Sequence, residues 1–348
     1  MSADARPYSH PDAPVRHSYP VAIGQAGFST AVFLTMRTLP YAIMRFGILL
    51  AFSIATIIWF VVTFGGAALL GRVVHPWIGV AWFVVGIGAY SWAWWFVVRY
   101  MLYLIQAGHI AVLTELVTVG RIGAGAEGMF AYGKRVVTER FGEVNTLFAL
   151  DLIVTGIVHA FHRTLDWIAE AIPVPGLQAV AGIANAVVRA ATTYIAATLF
   201  SYNLARGDDN PWRSSKDGLI YYAQNSKALL KTAMWVVVLD KVLTVLVWIV
   251  MLAPALVLLA VLPSTAVPGK VAVLVIAALF ASNVRQAFLK PIFLVMVMTR
   301  FHVAVRNQAI NQEWDERLSQ ISSQFRDLTG RVASGWQPGS APTPESRG

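Results

Sequence analysis

The chain has 348 residues, of which 57% are hydrophobic and only 13% are charged. Soluble domains carry about 25% charged residues, so this composition excludes an ordinary soluble protein and predicts membrane spans. We interpret the net charge of +9 as a topology signal and not as a sign of nucleic-acid binding. The absence of cysteine excludes disulfides, thiolate metal sites and a thiol nucleophile.

The first 45 residues predict a flexible cytoplasmic leader. They include four prolines within the first 20 positions and lack the compact apolar region of a cleaved signal peptide. Six apolar runs follow, and a run of about 20 such residues spans a bilayer as a helix. The runs cover residues 46–70, 77–98, 147–161, 177–202, 242–262 and 271–298. The third and fourth are the weakest, because they contain Asp151 and Arg189.

The lysines and arginines predict the orientation of these helices. The short connections at Arg72, Arg163 and Lys270 hold one basic residue each, whereas both termini and the alternate connections hold most of the others. Basic residues stay on the cytoplasmic side, and only an even number of spans keeps this bias consistent. The sequence therefore predicts an all-α, polytopic bundle of about six helices over residues 46–300. It is expected in the inner membrane, with both termini in the cytoplasm.

Two further segments predict amphipathic structure on the cytoplasmic side. Residues 106–146 mix apolar and charged positions, and their closely spaced glycines predict breaks in a helix that lies at the interface or dips into the bundle. Residues 301–334 carry an apolar stripe at helical spacing, which predicts a helix that packs on the loops or on a protein partner. Residues 335–348 predict a disordered tail.

Charged residues within the apolar runs are candidates for function, because each costs about 2.5–3.5 kcal/mol on insertion scales. Asp240 and Lys241 stand near the start of the fifth run. Their functional interpretation is a substrate or coupling-ion site. The alternative is a structural pair near the interface, where Lys241 extends its amine to the headgroups.

Asn283, Arg285 and Lys290 interrupt the sixth run, and Pro291 predicts a kink there. A broken helix beside buried polar groups is typical of transporter sites. The alternative is a structural arginine paired with an acid. Asp240 is the first candidate partner, but alignment from the connection at 263–270 places it about 12 Å nearer the cytoplasmic side than Arg285, which makes Asp151 a rival.

Two other clusters allow a functional and a structural interpretation. His159, His162 and Asp166 share one helical face and suggest a metal or proton relay, although interfacial packing is the better explanation and we predict no metal. Trp92 and Trp95 belong to an aromatic run that resembles either an interfacial belt or a cage for a quaternary ammonium. We favour the belt. No hydrolase motif is present, so we expect no enzyme, no catalytic residues and no cofactor.

One short stretch resembles a known family. Asn225, Ser226 and Lys227 are followed by a Val-Leu-Asp-Lys-Val step at 238–242 that contains Asp240 and Lys241. This arrangement resembles the C-terminal half of the choline transporter-like family. The departures are large, since eukaryotic members of that family have extra helices, a cysteine-rich extracellular domain and an acidic Asp-Gly-Ser-type segment where this chain has Arg306, Asn307 and Gln308.

The resemblance implies a transporter of choline or another small organic cation. Aromatic faces such as Trp92 and Trp95 would hold the cation, with Asp151, Glu115 or Asp240 as the counter-charge. The expected partners are the lipid bilayer and that cation. The alternative is a membrane scaffold or accessory subunit that binds a protein partner through the C-terminal helix.

Overall fold

The structure is a computed structural model that describes only part of the chain. It covers residues 19–97, 101–123, 127–141, 144–162, 177–207, 210–263, 265 and 267–333, without the side chains of 140–141, 144–151, 162 and 177–185. The described residues form helices and no strand. The predicted tail at 335–348 lies outside the described residues.

The described residues form thirteen α-helices, and a π-helical turn lies between two of them. They are α1 (Phe28–Arg37), α2 (Leu39–Val73), α3 (Pro76–Phe96), α4 (Leu102–Thr118), α5 (Met129–Phe141), α6 (Val144–His162), α7 (Leu177–Arg206), α8 (Pro211–Gln224), α9 (Ser226–Val261), α10 (Val267–Val284), a π-helix (Arg285–Leu289), α11 (Lys290–Val305), α12 (Gln312–Ile321) and α13 (Ser323–Ala333).

Four helices in the described residues are long and apolar enough to cross a membrane. They are α2, α3, α9 and the continuous helix Val267–Val305, which joins α10, the π-helix and α11. Their outer faces expose large apolar side chains such as Val61, Val85 and Val257, as lipid contact requires. The fold is therefore that of an α-helical membrane protein.

The predicted third and fourth spans form α6 and α7, but neither belongs to these four candidates. The apolar side chains of α7 contact protein, since Val187, Ala191 and Ile195 are buried. The described side chains of α6 and α7 cover only 152–161 and 186–206, so the number of spans beyond the four candidates stays a prediction.

The leader prediction also differs from the structure. Residues 28–45 form α1 and the first turns of α2, with Thr38 between the two helices and a proline in the first turn of α2. Proline is favoured there because its missing N–H would have no partner within the helix. Helix α1 buries Ala31 and Leu34 against α11 and exposes Phe33.

The glycine-rich segment between α4 and α5 behaves as the sequence predicts. Gly120 and Gly123 have positive φ angles of 82° and 50°, which non-glycine residues rarely adopt, and they separate the two helices. Helix α4 is almost entirely buried, with Val112, Leu113 and Val117 at the centre of its covered surface. Of the two placements that the sequence allowed, α4 therefore takes the one inside the bundle.

The predicted single helix over 301–334 is divided into three pieces. Helix α11 extends to Val305, Asn307 turns the chain with a φ of 64°, and α12 and α13 follow. Asparagine is one of the few residues besides glycine that adopt this conformation readily. The apolar side chains of Leu318, Phe325 and Leu328 are buried against α6 and α8, so the apolar stripe packs within the chain.

Candidate functional site

A bidentate ion pair joins the two helices of the α9–α10 hairpin. Nη2 of Arg285 donates to Oδ2 of Asp240 at 2.7 Å, and its Nε donates to Oδ1 at 3.2 Å. The same Nε also donates to Oγ1 of Thr244 at 2.8 Å. The side chains of Arg285 and Asp240 are partly buried, with exposed fractions of 32% and 21%. The geometry fixes the guanidinium against α9.

Helix boundaries explain why Asp240 reaches Arg285 in spite of the predicted mismatch in depth. Helix α9 ends at Val261 and α10 begins at Val267, so the connection is earlier than the sequence suggested. Counting equally from both helix ends places Asp240 opposite Phe288, only three residues from Arg285. This offset is about 4.5 Å of helix rise, which an arginine side chain can span.

The π-helix lies at this pair. The backbone N–H of Lys290 bonds to the carbonyl of Arg285, five residues earlier, and Pro291 follows directly. Pro291 has no N–H to continue the α-helical ladder, and a π-helical turn accommodates such an interruption. The predicted irregularity at Pro291 is therefore present as a π-helical turn that starts at Arg285.

Two more cations lie near this pair: Lys290, which the sequence already places in the polar interruption of the sixth run, and Arg45, which it does not place at the site. Lys290 interacts electrostatically with Arg45, Arg285 and Asp240. Nε of Arg45 is buried without a hydrogen-bond partner in the described residues. Tyr194 on α7 closes the cluster, since it interacts with Asp240, Arg285 and Arg45. We call Arg45, Tyr194, Asp240, Arg285 and Lys290 the intramembrane polar cluster.

The intramembrane polar cluster has an excess of positive charge. Among the side chains that the structure describes there, Arg45, Arg285 and Lys290 face the single carboxylate of Asp240. Uncompensated charge is costly at low dielectric, so a site of this kind attracts an anion. Arg45 precedes the uncharged run that begins at residue 46, whereas α2 already starts at Leu39 and therefore includes this arginine.

Asn283 and Lys241 take different positions from the cluster. Asn283 is buried and donates from Nδ2 to Oγ of Ser53 at 2.8 Å, which ties α10 to α2. Lys241 is exposed on the surface of α9. Asn283 therefore supports the packing beside the cluster, while Lys241 points away from it.

Three more of the predicted residues, Trp92, Trp95 and Glu115, lie away from the cluster. Trp92 and Trp95 are 68% and 54% exposed on α3, a position that suits an aromatic belt better than a cage. Glu115 lies on α4 beside a small cavity of about 200 Å³ that Tyr132 also lines. Burial and a hydrogen bond with Glu115 raise the pKa of Tyr132. The side chain of Asp151 lies outside the described residues.

The histidine cluster predicted on one helical face is only partly described. His159 is exposed on α6 and, with Arg189, lines a cavity of about 390 Å³. The side chain of His162 and all of Asp166 lie outside the described residues. Within the part of the chain that the structure describes, no three histidine or acidic side chains come together to hold a metal ion.

A second polar array was not predicted from the sequence. The hydroxyl of Tyr19 bonds with Nδ1 of His302 at 2.8 Å, and Nε2 of His302 bonds with Oγ of Ser201 at 2.8 Å. Ser201 in turn bonds with Oγ1 of Thr114 at 2.7 Å. His302 and Ser201 are fully buried, so this chain of hydrogen bonds anchors the N-terminal segment inside the bundle.

Comparison with protein-family models, curated proteins and solved structures finds no match for this chain. The fold and the geometry of the polar groups therefore carry the functional argument.

Proposed function

We propose that this chain is a polytopic membrane protein of the inner membrane with both termini in the cytoplasm. The distribution of lysine and arginine supports this orientation. The four candidate spans and the predicted six are both even numbers, so either count is consistent with termini on one side. In the six-span form, α6 and α7 cross the membrane within a shell of other helices.

We further propose a transporter whose solute binds at the intramembrane polar cluster. Ionisable groups within a membrane bundle are rare and line substrate pathways in many transporters. π-helical turns inside α-helices occur frequently at functional sites, and here the π-helix starts at Arg285 itself. The ion pair between Arg285 and Asp240 is the observation that carries the proposal, because it couples this irregular turn to the neighbouring helix.

The charge of the cluster favours an anionic solute over choline. Asp240, which the family resemblance offered as a counter-charge for a cation, is already engaged by Arg285 at 2.7 Å. No described acidic side chain forms an ion pair with Arg45 or Lys290, and Asp240, which interacts with Lys290, is already bound by Arg285, whereas an anion would compensate both cations. The exposed positions of Trp92 and Trp95 give no support to a cage for a quaternary ammonium.

The test is uptake into liposomes that contain the purified protein. Labelled choline is compared with labelled phosphate, glycerol phosphate and a dicarboxylate. We expect uptake of an anion that falls at least about tenfold in Lys290→Gln, because one cation of the site is removed. Lys241→Gln is the matched control, since it removes an exposed cation from the adjoining helix and should leave the flux unchanged.

Each outcome separates the candidate functions. Choline uptake that does not depend on Lys290 would show that the charge argument is wrong and that the family resemblance gives the better substrate. No uptake of any of these solutes by folded protein would contradict the transporter proposal. The scaffold or accessory subunit would then become the better explanation, although α12 and α13 already bury their apolar faces within the chain.

A further inference from the structure

A cavity of about 380 Å³ opens between α1, α9 and α11, apart from the intramembrane polar cluster. Lys231 and Trp235 of α9 form one wall, and Arg300 of α11 forms another. Phe28 at the start of α1 and Leu239 complete the lining with apolar surface. A volume of this size is within the range of small-molecule sites.

The two cations of this cavity are free to bind a ligand. No described acidic side chain forms an ion pair with Lys231 or with Arg300. Lys231 is exposed and Arg300 is partly exposed, and they come from different helices that converge on the same space. Two unpaired cations on either side of a cavity favour a phosphate or another anion.

The cavity lies where the surface of α9 changes from polar to apolar. Lys227 and Lys231 precede this boundary, and Trp235, Val238 and Val242 begin the exposed apolar surface of the helix. Tryptophan and basic residues are enriched at the level of the lipid headgroups. The cavity is therefore placed at the depth of the headgroup layer, next to the surface that contacts lipid tails.

We infer that this cavity binds the phosphate headgroup of an anionic phospholipid through Lys231 and Arg300. The apolar lining from Phe28, Trp235 and Leu239 suits the glycerol and the upper part of the acyl chains, which a free phosphate ion lacks. The same cations could bind inorganic phosphate, so the experiment must separate the two sources.

The experiment measures bound lipid by native mass spectrometry. Purified full-length protein is equilibrated with equal amounts of phosphatidylglycerol and phosphatidylcholine. We expect selective retention of phosphatidylglycerol, and a loss of about 10- to 30-fold in affinity when both cations are removed in Lys231→Gln/Arg300→Gln. The charge-preserving exchange Lys231→Arg/Arg300→Lys should retain binding.

The control removes the same charge elsewhere. Arg213→Gln/Arg306→Gln changes two exposed arginines that do not line the cavity, and it should bind phosphatidylglycerol as the unaltered protein does. Neither Lys231 nor Arg300 forms a described ion pair, so their double variant should keep its melting temperature. If that variant is not recovered, Lys231→Gln alone should still lower the affinity about fivefold.

Three results would overturn the inference. The first is equal retention of phosphatidylglycerol by the double variant and the unaltered protein. The second is equal retention of the two lipids, which would exclude recognition of the charge. The third is displacement of bound phosphatidylglycerol by added inorganic phosphate, which would assign the cavity to the free ion.

Discussion

Arg285 and Asp240 meet across the α9–α10 hairpin although their positions are three residues out of register. The guanidinium bridges this offset and contacts both the carboxylate and the hydroxyl of Thr244. The pair joins the π-helical turn of the continuous helix 267–305 to α9. It therefore links the irregular backbone to the packing of the bundle.

Loss of this pair should destabilise the protein. Arg285→Leu leaves Asp240 as a partly buried carboxylate without its cation, and breaking a buried pair on one side costs about 3 kcal/mol or more. We expect a clear decrease in the melting temperature of the purified protein in detergent. The double variant Arg285→Leu/Asp240→Asn should recover part of the loss, because it removes the unpaired charge.

The control for this prediction is Arg213→Leu, which removes an exposed arginine from α8. It should leave the melting temperature nearly unchanged. Equal stability of Arg285→Leu and the unaltered protein would show that the ion pair contributes nothing to folding.

The sequence predicted the parts of the fold that depend on local pattern. The uncharged run at 46–70 lies within α2, the run at 242–262 lies within α9 except for its last residue, and the glycines at 120 and 123 separate α4 from α5. Both features depend only on nearby residues: an apolar run of about 20 residues forms a spanning helix, and glycine readily adopts the positive φ angles that end one. The pairing of Arg285 with Asp240 was among the predicted alternatives, and only the helix boundaries decided it.

The parts that could not be predicted depend on distant contacts. Whether the apolar residues of α7 face lipid or protein is set by the helices around them, not by their own sequence. The hydrogen bond between Tyr19 and His302 joins residues 283 positions apart, and neither residue has a local signal that identifies its partner. Arg45 was assigned to the leader because the start of α2 lies within a less apolar stretch.

The α2–α3 hairpin should be sensitive to the size of residue 79. A Cβ added at Gly79 would lie 2.5 Å from the carbonyl oxygen of Ala67, so Gly79→Val forces the two helices apart. Overpacking of this kind costs about 1–3 kcal/mol. Gly88→Val is the matched control on the same helix, because nothing lies within 4 Å of its added Cβ.

The measurement is thermal unfolding of both variants in the same detergent. Gly79→Val should unfold at a lower temperature than Gly88→Val. Indistinguishable melting curves would mean that the close approach of the helices at Gly79 does not limit the packing of the hairpin.

The C-terminal helices should contribute to the stability of the whole bundle. Phe325 is fully buried against the layer formed by α6 and α8, and truncation of a buried phenylalanine costs about 3–5 kcal/mol. We expect Phe325→Ala to lower the melting temperature and to increase proteolysis of residues 312–333. Asp327→Ala, an exposed change on the same helix, should have little effect. If proteolysis of this segment is equally fast in all three proteins, α13 is not docked in solution.

The buried hydroxyl of Tyr19, which bonds with His302, should make the free energy of unfolding depend on pH in the alkaline range. Burial raises the pKa of the Tyr19 phenol above its ordinary value of about 10. Above pH 10 the unfolded chain therefore releases this proton while the folded chain retains it. The contribution of the buried phenol to the free energy of unfolding is complete below pH 10 and decreases as the pH rises through the folded pKa.

Tyr19→Phe removes this titration and keeps the ring in place, although the hydrogen bond to His302 is lost. The variant should be less stable by about 1 kcal/mol at neutral pH. Above pH 10 its stability should decrease less steeply than that of the unaltered protein, by up to about 1.4 kcal/mol per pH unit, because one fewer proton is linked to unfolding. Chemical denaturation at a series of pH values from neutral to alkaline measures both quantities. Parallel curves for the two proteins above pH 10 would show that Tyr19 titrates equally in the folded and unfolded chain and is therefore not held in the buried position that the structure gives it.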